Sequence, residues 1–508
     1  MTSLWYRDVT LGREGVVALL TLLVAQWALS TLVYAQTIII PTLSVMERYD
    51  SNIFNAPKSL LAPDSKPEDF VTMVIPQINI AHANSLMRGS LSGAGLVTKY
   101  LHNPSLDYIG INVRGQLDLK NAANQVSNRI SSFIVRGTYS YTPSTTGFGA
   151  PGVGLGTGFG STSSGVLDAG LVTNRASRHI YNVGVTGGYQ LTPTTTLSAG
   201  YIYNKIFFTD QSGGVNNQLF DTTGHQGMTT ISTQISARDV VGATATMSHY
   251  IQEQRSGSSG QGTFTTIAQT LNWRRLWTRE LSTSLAGGGS VKLPVGSPTP
   301  GQSVNSKFVP TVSAVITYNS FAEELRAAGL PLSPFVGMPA LAGSLNPGGI
   351  MPPGAYTASM RYAYSLFPSY AFGSGPMNTH LVGAIARGGI TSNLGGVVGM
   401  NYAHSIRSSP SFTSDTLGVT VGASYLIGPV MSTLSYNWLF FSKSDDQSSE
   451  YEWSKKMVIL TFSYAFTSES FFRMGEFGST GTQGSVEGSS APSDAETGSS
   501  PSGDGSGI

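Results

Sequence analysis

Charged side chains at alternate positions of otherwise apolar segments have the clearest capacity for chemistry in this chain. They are Arg114, Asp118, Lys120, Arg136, Arg238, Arg361 and Arg387. Alternate residues of a β-strand point to the same side of a sheet, so such a set can line a water-filled channel and set its charge selectivity. Because most of them are basic, we predict a lumen that favours anionic solutes. A second interpretation stays open, because any large barrel needs hydrated, mutually paired polar side chains inside it.

Enzymatic and metal-dependent chemistry has little support in the sequence. The 7 histidines are scattered without a His-Glu-x-x-His motif, and the chain has no cysteine to complete a zinc set. The glycine-rich string 147–160 lacks the lysine of a phosphate-binding loop, and no serine lies in a local nucleophile motif. We therefore expect no enzyme activity, no metal and no other cofactor.

A second cluster combines tryptophan with arginine at a predicted periplasmic turn. It consists of Trp273, Arg274, Arg275, Trp277 and Arg279. Tryptophan prefers the membrane–water interface, and a neighbouring arginine can meet lipid head groups. We interpret the cluster as an interfacial anchor; docking of an acidic periplasmic partner is the alternative.

The composition indicates a protein whose outer surface contacts lipid. Only 11% of its 508 residues are charged, against about 25% in soluble domains, and aromatic residues reach 10%. A soluble protein with so few charges would have difficulty covering its surface. The net charge of +1 gives no support to nucleic-acid binding, which normally requires a basic stripe or domain.

Alternation of apolar and polar residues predicts strands along most of the chain. In 108–120, one face carries Ile109, Ile111, Val113, Leu117 and Leu119, and the other carries Asn112, Arg114, Gln116, Asp118 and Lys120. The predicted closing strand has its apolar face at Val458, Leu460, Phe462, Tyr464 and Phe466. Turn signals between such segments give about 18 strands, the first at 43–54. The predicted fold is all-β: a single transmembrane antiparallel β-barrel over 36–466.

Connection lengths give an independent check on this barrel. Short connections at 84–85, 191–194, 238–239, 391–393 and 428–429 alternate with long ones, as expected if the short ones are periplasmic turns and the long ones extracellular loops. The segment 320–356 breaks this rule. Either a strand is miscounted there, or the segment is an insertion that plugs the lumen or touches a periplasmic partner.

The two termini are predicted to lie outside the barrel. Arg7 and Arg13 precede a mostly apolar stretch from Val16 to Tyr34, which indicates a secretory signal peptide over 1–35. The segment 467–508 consists largely of glycine, serine, threonine, proline and acidic residues, the composition of a low-complexity disordered tail.

Near the start of the predicted mature chain stand the strings Glu47-Arg-Tyr-Asp-Ser-Asn-Ile-Phe54 and Asp69-Phe70-Val71-Thr72, followed by Pro76. These strings resemble the opening of a group of outer-membrane β-barrels found with exopolysaccharide-export or protein-sorting systems. In that group the first string starts the first strand and the second string starts the next. The resemblance implies an outer-membrane barrel serving polysaccharide export or envelope assembly. Physically, Asp50 and Asn52 suit a strand end, where short polar side chains bond the local backbone.

These observations predict an outer-membrane protein of a Gram-negative bacterium. We expect a porin-like conduit for transport, or the membrane component of an exopolysaccharide or envelope export system. The alternative is a non-conducting structural or adhesive barrel that works through its extracellular loops. The expected partners are outer-membrane lipid, the barrel-insertion machinery and the periplasmic components of an export system, with no nucleic acid; the oligomeric state stays open.

Overall fold

The computed structural model of the protein describes residues 36–61, 66–142, 177–209, 220–254, 261–294, 307–320, 353–369, 375–408, 411–445 and 451–466. The predicted signal peptide, the predicted tail and most of the segment 320–356 lie outside these described residues. Among the described residues, no helix has both the length and the apolar character needed to cross a membrane.

Eighteen strands form the described structure. They are β1 Gln36–Asp50, β2 Asp69–Ala83, β3 Arg88–Tyr100, β4 Tyr108–Asp118, β5 Ile130–Thr142, β6 Ser177–Gln190, β7 Thr195–Thr209, β8 Phe220–Gln234, β9 Asp239–Gln254, β10 Gln261–Leu276, β11 Leu281–Pro294, β12 Lys307–Asn319, β13 Tyr356–Ser369, β14 Gly375–Gly389, β15 Leu394–Ser408, β16 Ser411–Ile427, β17 Val430–Asp445 and β18 Tyr451–Ala465.

Each strand pairs antiparallel with its neighbours in the sequence, and β1 also pairs with β18. The sheet therefore closes on itself as an 18-stranded barrel, as the sequence predicts. Closure leaves no unpaired edge in the middle of the wall, which is a requirement for any sheet that crosses lipid.

The first strand begins earlier than the sequence predicts. It starts at Gln36 and not at 43, and it includes Pro41. The backbone carbonyl of Pro41 accepts a hydrogen bond from the N–H of Phe466, so the missing N–H of this proline faces the end of β18, where pairing stops. Proline is tolerated at such edge-like positions. At Pro76 in β2, the pairing with β3 is interrupted between Val74 and Gln77.

The two faces of the barrel differ in chemistry. The outer face carries exposed aliphatic side chains around the middle of the wall; for example, Val183 is 50% exposed and Met247 is 55% exposed. The paired residues of neighbouring strands share this character, as at Val398 and Val421 or Ile316 and Met360. An apolar band of this kind, on a closed barrel with an even number of strands, is characteristic of bacterial outer-membrane barrels. The protein is therefore an integral protein of the outer membrane of a Gram-negative bacterium.

The connections divide the barrel into a turn end and a loop end. Short connections such as 191–194, 235–238, 277–280, 390–393 and 428–429 lie together at the turn end, which is the periplasmic end in barrels of this type. The turn between β4 and β5 contains a short helix, α1 Lys120–Asn124. β12 and β13 also join at the turn end, and they pair directly with each other. The long connection 320–355 is thus an insertion between neighbouring strands, and no strand was miscounted.

At the loop end, a buried polar cluster joins the end of β1 and the connection that follows it to β18. Asp50 at the end of β1 and Lys455 in β18 are 0% and 4% exposed, and the Lys455 Nζ lies 2.8 Å from the Asp50 Oδ2. The same ammonium donates to the Asn55 Oδ1 at 3.0 Å, and the Asn52 N–H donates to the Asp50 Oδ1 at 3.0 Å. The connection after β1 is thereby held against the inside of β18.

A second carboxylate anchors the next connection at the same end. The Asp69 side chain accepts hydrogen bonds from the backbone N–H groups of His102 and Asn103, at 2.9 and 3.0 Å. The string that contains Asp50 therefore stands at the end of the first strand, not at its start as the resemblance implies. Asp69 does start β2, as expected. Next to these carboxylates, towards the turn end, an apolar cluster lies on the inner side of β1, β2 and β18; it contains Met46, Val71, Met73, Met457 and Ile459.

A charge on the lipid face should destabilise the barrel far more than the same charge on the inner face. Val183→Arg places a cation near the middle of the apolar band, where the cost is about 2–4 kcal/mol. Asn182→Arg, on the adjacent inner position, is the matched control. Unfolding by urea in phospholipid vesicles measures both; equal losses of unfolding free energy would contradict the assignment of the faces.

The buried pair should make Lys455 far more sensitive to substitution than its neighbour. Lys455→Met keeps the volume but leaves the buried Asp50 carboxylate without its closest cation, a loss of about 3–5 kcal/mol. Lys456 faces outward and is exposed, so Lys456→Met should change stability by less than about 0.5 kcal/mol. The same urea titration compares them, and similar effects of the two substitutions would argue against a buried ion pair.

Candidate functional site

The inner wall of the barrel is the candidate functional site. The sequence-predicted residues Arg114, Asp118, Arg136, Arg361 and Arg387 all stand on its inner positions. Arg114 lies opposite the polar residues Ser92 and Thr138, and Arg361 lies opposite Gly383 and Val315. The outer positions beside them carry Val113, Val135 and Met360. The alternation read from the sequence thus gives the correct side for each of these five residues.

Two of the predicted lumen residues lie elsewhere. Lys120 is the first residue of α1, and Arg238 lies in the turn between β8 and β9; both are exposed at the turn end. Lys120 follows β4 by two residues and Arg238 precedes β9 by one, so in the sequence each residue continues the alternation of its strand. The backbone has already left the wall at these points, because the turn starts where pairing with the neighbouring strand ends.

The arginines form two groups on opposite walls. Arg114 and Arg136 belong to β4 and β5, whereas Arg361 and Arg387 belong to β13 and β14. In a closed ring of 18 strands, strands nine positions apart face each other across the lumen. β4 is therefore opposite β13, and β5 is opposite β14. A solute on the barrel axis passes between the two basic groups.

Three of these four arginines have no acidic partner in the described part of the chain. Among the described residues, no carboxylate lies within 4.0 Å of the side chains of Arg114, Arg361 and Arg387. The Arg361 Nη2 instead donates to the Asn401 Oδ1 at 3.4 Å. Gly383 makes this possible: a Cβ there would lie 2.9 Å from the Arg361 Nε and 2.7 Å from the Asn401 Oδ1. The glycine lets the guanidinium lie along the wall.

Further basic residues that the sequence reading missed share the inner face. They are Arg48, Arg88, Arg178, Arg274, Lys292, Lys443 and Lys455. The acidic residues with described side chains on this face are Asp50, Asp69 and Asp118, and the first two are engaged in the loop-end cluster. The parity rule that identified Arg114 would also have found Arg88 and Lys292, once the register of β3 and β11 was known.

Burial changes along the barrel axis. Near the loop end, inner residues are buried all around the ring; they include Phe208, Gln252, Phe264, Thr379, Ser414 and Phe441. Towards the turn end, inner residues such as Arg88, Arg114, Met228, Gln234 and Ser284 are exposed. The space that water can enter therefore opens at the turn end and decreases towards the loop end. Arg114 and Arg361 lie in the middle part of their strands, where this change begins.

Three members of the tryptophan–arginine cluster, Trp273, Arg275 and Trp277, lie on the outer face at the turn end. The Trp273 Nε1 donates to the Asp239 carboxylate at 3.1 Å, and the Arg275 guanidinium lies over the Trp277 ring at 4.5 Å. Arg275 also lies 3.7 Å from Asp239. Arg274 points inward, and Arg279 lies in the turn. The position of Trp273, Arg275 and Trp277 is the one expected of an interfacial anchor.

The closing strand is placed as its alternation predicts. Val458, Phe462, Tyr464 and Phe466 are exposed, and Leu460 shares their face. The Tyr464 and Phe466 rings make an edge contact at 4.6 Å between centroids. These aromatic residues belong to the turn-end girdle, together with Trp273, Trp277 and Tyr356.

Comparison with known proteins gives structural similarity without sequence similarity. No protein-family model matches the chain, and no curated protein matches it. The outer membrane protein opdK from Pseudomonas aeruginosa is 10% identical with a TM-score of 0.39, covering 84% of this chain and 99% of that one. OccAB4 from Acinetobacter baumannii is 8% identical with a TM-score of 0.39, covering 85% and 99%. OprD from Pseudomonas aeruginosa is 10% identical with a TM-score of 0.36, covering 85% and 96%.

Inner and outer positions should differ in their access to water-soluble reagents. The chain has no cysteine, so single-cysteine variants report one position each. Arg114→Cys and Arg361→Cys should react with a charged, membrane-impermeant maleimide in outer-membrane vesicles. Val113→Cys and Met360→Cys, the adjacent lipid-facing positions, should react at least about tenfold more slowly, because a charged reagent is excluded from hydrocarbon. Equal labelling of Met360→Cys and Arg361→Cys would contradict the proposed lumen wall.

Proposed function

We propose that this protein is a porin-like conduit of the outer membrane whose lumen favours anionic solutes. The observation that supports the proposal best is that Arg114 lies on the wall opposite Arg361 and Arg387, and that none of these three has a carboxylate within 4.0 Å among the described residues. Paired charges inside a barrel serve hydration and stability, whereas unpaired charges of one sign create a potential along the solute path.

The size of this effect can be estimated from Coulomb's law. A unit charge about 10 Å from an anion in water contributes about 0.4 kcal/mol, which is roughly a twofold change in equilibrium occupancy. Arg114, Arg136, Arg361 and Arg387 together thus raise the occupancy of an anion by roughly sixteenfold at low ionic strength. Salt weakens it, because the Debye length is about 10 Å at 0.1 M.

A second candidate function is the membrane component of an export system for an anionic polysaccharide. The resemblance of Glu47–Phe54 and of the string starting at Asp69 favours this alternative. Each string contains a carboxylate, Asp50 or Asp69, that anchors a loop-end connection, so the resemblance concerns the construction of the barrel rather than its lumen. An export role would use the same basic wall, with uronic-acid polymers as the solute.

Removal of the inner arginines should lower anion selectivity in a graded way. In planar bilayers with a KCl gradient, the reversal potential of the native protein should indicate anion preference. The triple variant Arg114→Gln, Arg361→Gln, Arg387→Gln should lower the anion-to-cation permeability ratio by roughly eightfold at low salt, since each charge contributes about twofold. Lys120→Gln with Arg238→Gln is the matched control, because both residues lie outside the lumen.

The possible outcomes separate the candidate functions. Cation preference of the native protein, or equal shifts in the arginine triple and the control, would overturn the anion-conduit proposal. An absence of current with correctly folded protein would favour the structural or adhesive barrel. Slower current with charged oligouronides than with neutral oligosaccharides of equal length would favour polymer export, because the basic wall retains the charged chain.

A further inference from the structure

Histidine is concentrated on the outer face of the barrel, near the loop end. His179, His225 and His249 lie on β6, β8 and β9, and His380 and His404 lie on β14 and β15. All five share register with outward-facing aromatic residues or with each other, as His225 does with Tyr203 and His249. Barrels place aromatic residues at this height, at the upper edge of the apolar band. An imidazole there adds a group that can become a cation.

The first three histidines belong to a basic aromatic belt, defined here as Tyr139, His179, Tyr201, Lys205, Phe207, His225 and His249. The rings of His179 and Phe207 are stacked at 4.5 Å, and the Lys205 Nζ lies over the Phe207 ring at 5.7 Å. His225 hydrogen-bonds the Tyr201 hydroxyl at 2.7 Å through its Nδ1. These contacts hold the basic groups against the outer wall, where they face the lipid interface.

The belt has spare donor capacity. The Nδ1 of His249 bonds the Thr265 hydroxyl at 2.9 Å, and the Nε2 atoms of His225 and His249 make no hydrogen bond within the part of the chain that the structure describes. Lys205 has no carboxylate within 4.0 Å among the same residues. An ammonium and two imidazole nitrogens on neighbouring strands are thus available to one acceptor-rich group.

The surroundings of the belt contain few competing charges. On the loop-end half of this face of β5 to β10, the titratable or charged groups are Tyr139, Tyr141, Tyr181, Tyr201, Tyr203, Lys205, Asp221, Glu253 and the three histidines; Tyr189, Asp239 and Arg275 share the face at the turn end. Asp221 and Glu253 lie opposite each other, closer to the loop end. The Asp221 Oδ1 accepts a hydrogen bond from the Phe208 N–H at 2.9 Å.

We propose that the basic aromatic belt binds the phosphate group of an anionic lipid in the outer leaflet. Charge complementarity supports this occupant: a phosphate offers several acceptor oxygens to Lys205 and to the histidine Nε2 atoms, while the acyl chains of the lipid cover the apolar wall below. Basic residues at a membrane surface attract anionic lipid, and each contributes about fivefold in affinity.

The second pair of histidines provides an internal comparison. The His404 Nδ1 lies 2.8 Å from the Asp415 Oδ1, and the Tyr402 hydroxyl donates to the same carboxylate. His380 bonds the Tyr362 hydroxyl at 3.1 Å and lies 6.2 Å from His404. A carboxylate of the protein is already present in this pair, so it does not attract a lipid phosphate.

The test measures lipid selectivity of the full chain by electron paramagnetic resonance. The purified barrel is reconstituted in phosphatidylcholine bilayers with spin-labelled phosphatidylglycerol or with spin-labelled phosphatidylcholine. The native protein should immobilise phosphatidylglycerol preferentially, by about fivefold. Lys205→Gln combined with His225→Gln and His249→Gln should abolish the preference.

The control variant is His380→Gln with His404→Gln, which should keep the preference for phosphatidylglycerol. Heat-modifiable mobility on gels verifies that each variant is folded. Inorganic phosphate at millimolar concentration distinguishes the source of the ligand: if it displaces the labelled lipid fully, the belt is a phosphate site rather than a lipid site. Equal selectivity of the native protein and the belt variant, or loss of selectivity in the control, would overturn the proposal.

Discussion

The structure depends on one constraint: every backbone N–H and C=O in the membrane-crossing part of the wall must be hydrogen-bonded to a neighbouring strand. In lipid an unpaired backbone group costs several kcal/mol, so the sheet has to close, and β1 must meet β18. Once the ring is closed, each side chain of the wall can point only outward to the lipid or inward to the lumen. The sequence alternation, the lipid band, the polar lumen and the two aromatic girdles all follow from this restriction.

The excess of positive charge on the inner wall comes from residues of ordinary strands, without a separate domain. Arg114 and Arg361 occupy single inner positions of such strands, and Gly383 leaves room for the side chain of Arg361. Towards the turn end inner residues such as Arg114 are exposed, and near the loop end inner residues are buried. A cation without a carboxylate partner is tolerated at such a boundary, because its exposure to solvent keeps the desolvation cost low.

Sequence reasoning predicted those features that depend on local period, and it failed where the answer depends on pairing. The period of two gave the barrel, the strand number and the inner position of Arg114, Asp118, Arg136, Arg361 and Arg387. It did not show that the wall ends before Lys120 and Arg238, because a turn begins where a partner strand ends. The early start of β1 was missed for a related reason: Pro41 is acceptable only because β18 stops beside it. The buried contact between Asp50 and Lys455 joins residues about 400 positions apart, which no local pattern reveals.

That contact also bears on how the barrel is made. Asp50 is synthesised early and Lys455 nearly last, so the carboxylate and the connection after β1 cannot reach their buried arrangement until almost the whole chain is present. Contacts of such long sequence separation form slowly, because the loop-closure entropy precedes the gain. A chain that is cut short before β18, or that closes in another register, cannot form the contact between Asp50 and Lys455. The buried ion pair is therefore a feature of the complete and correctly registered ring alone.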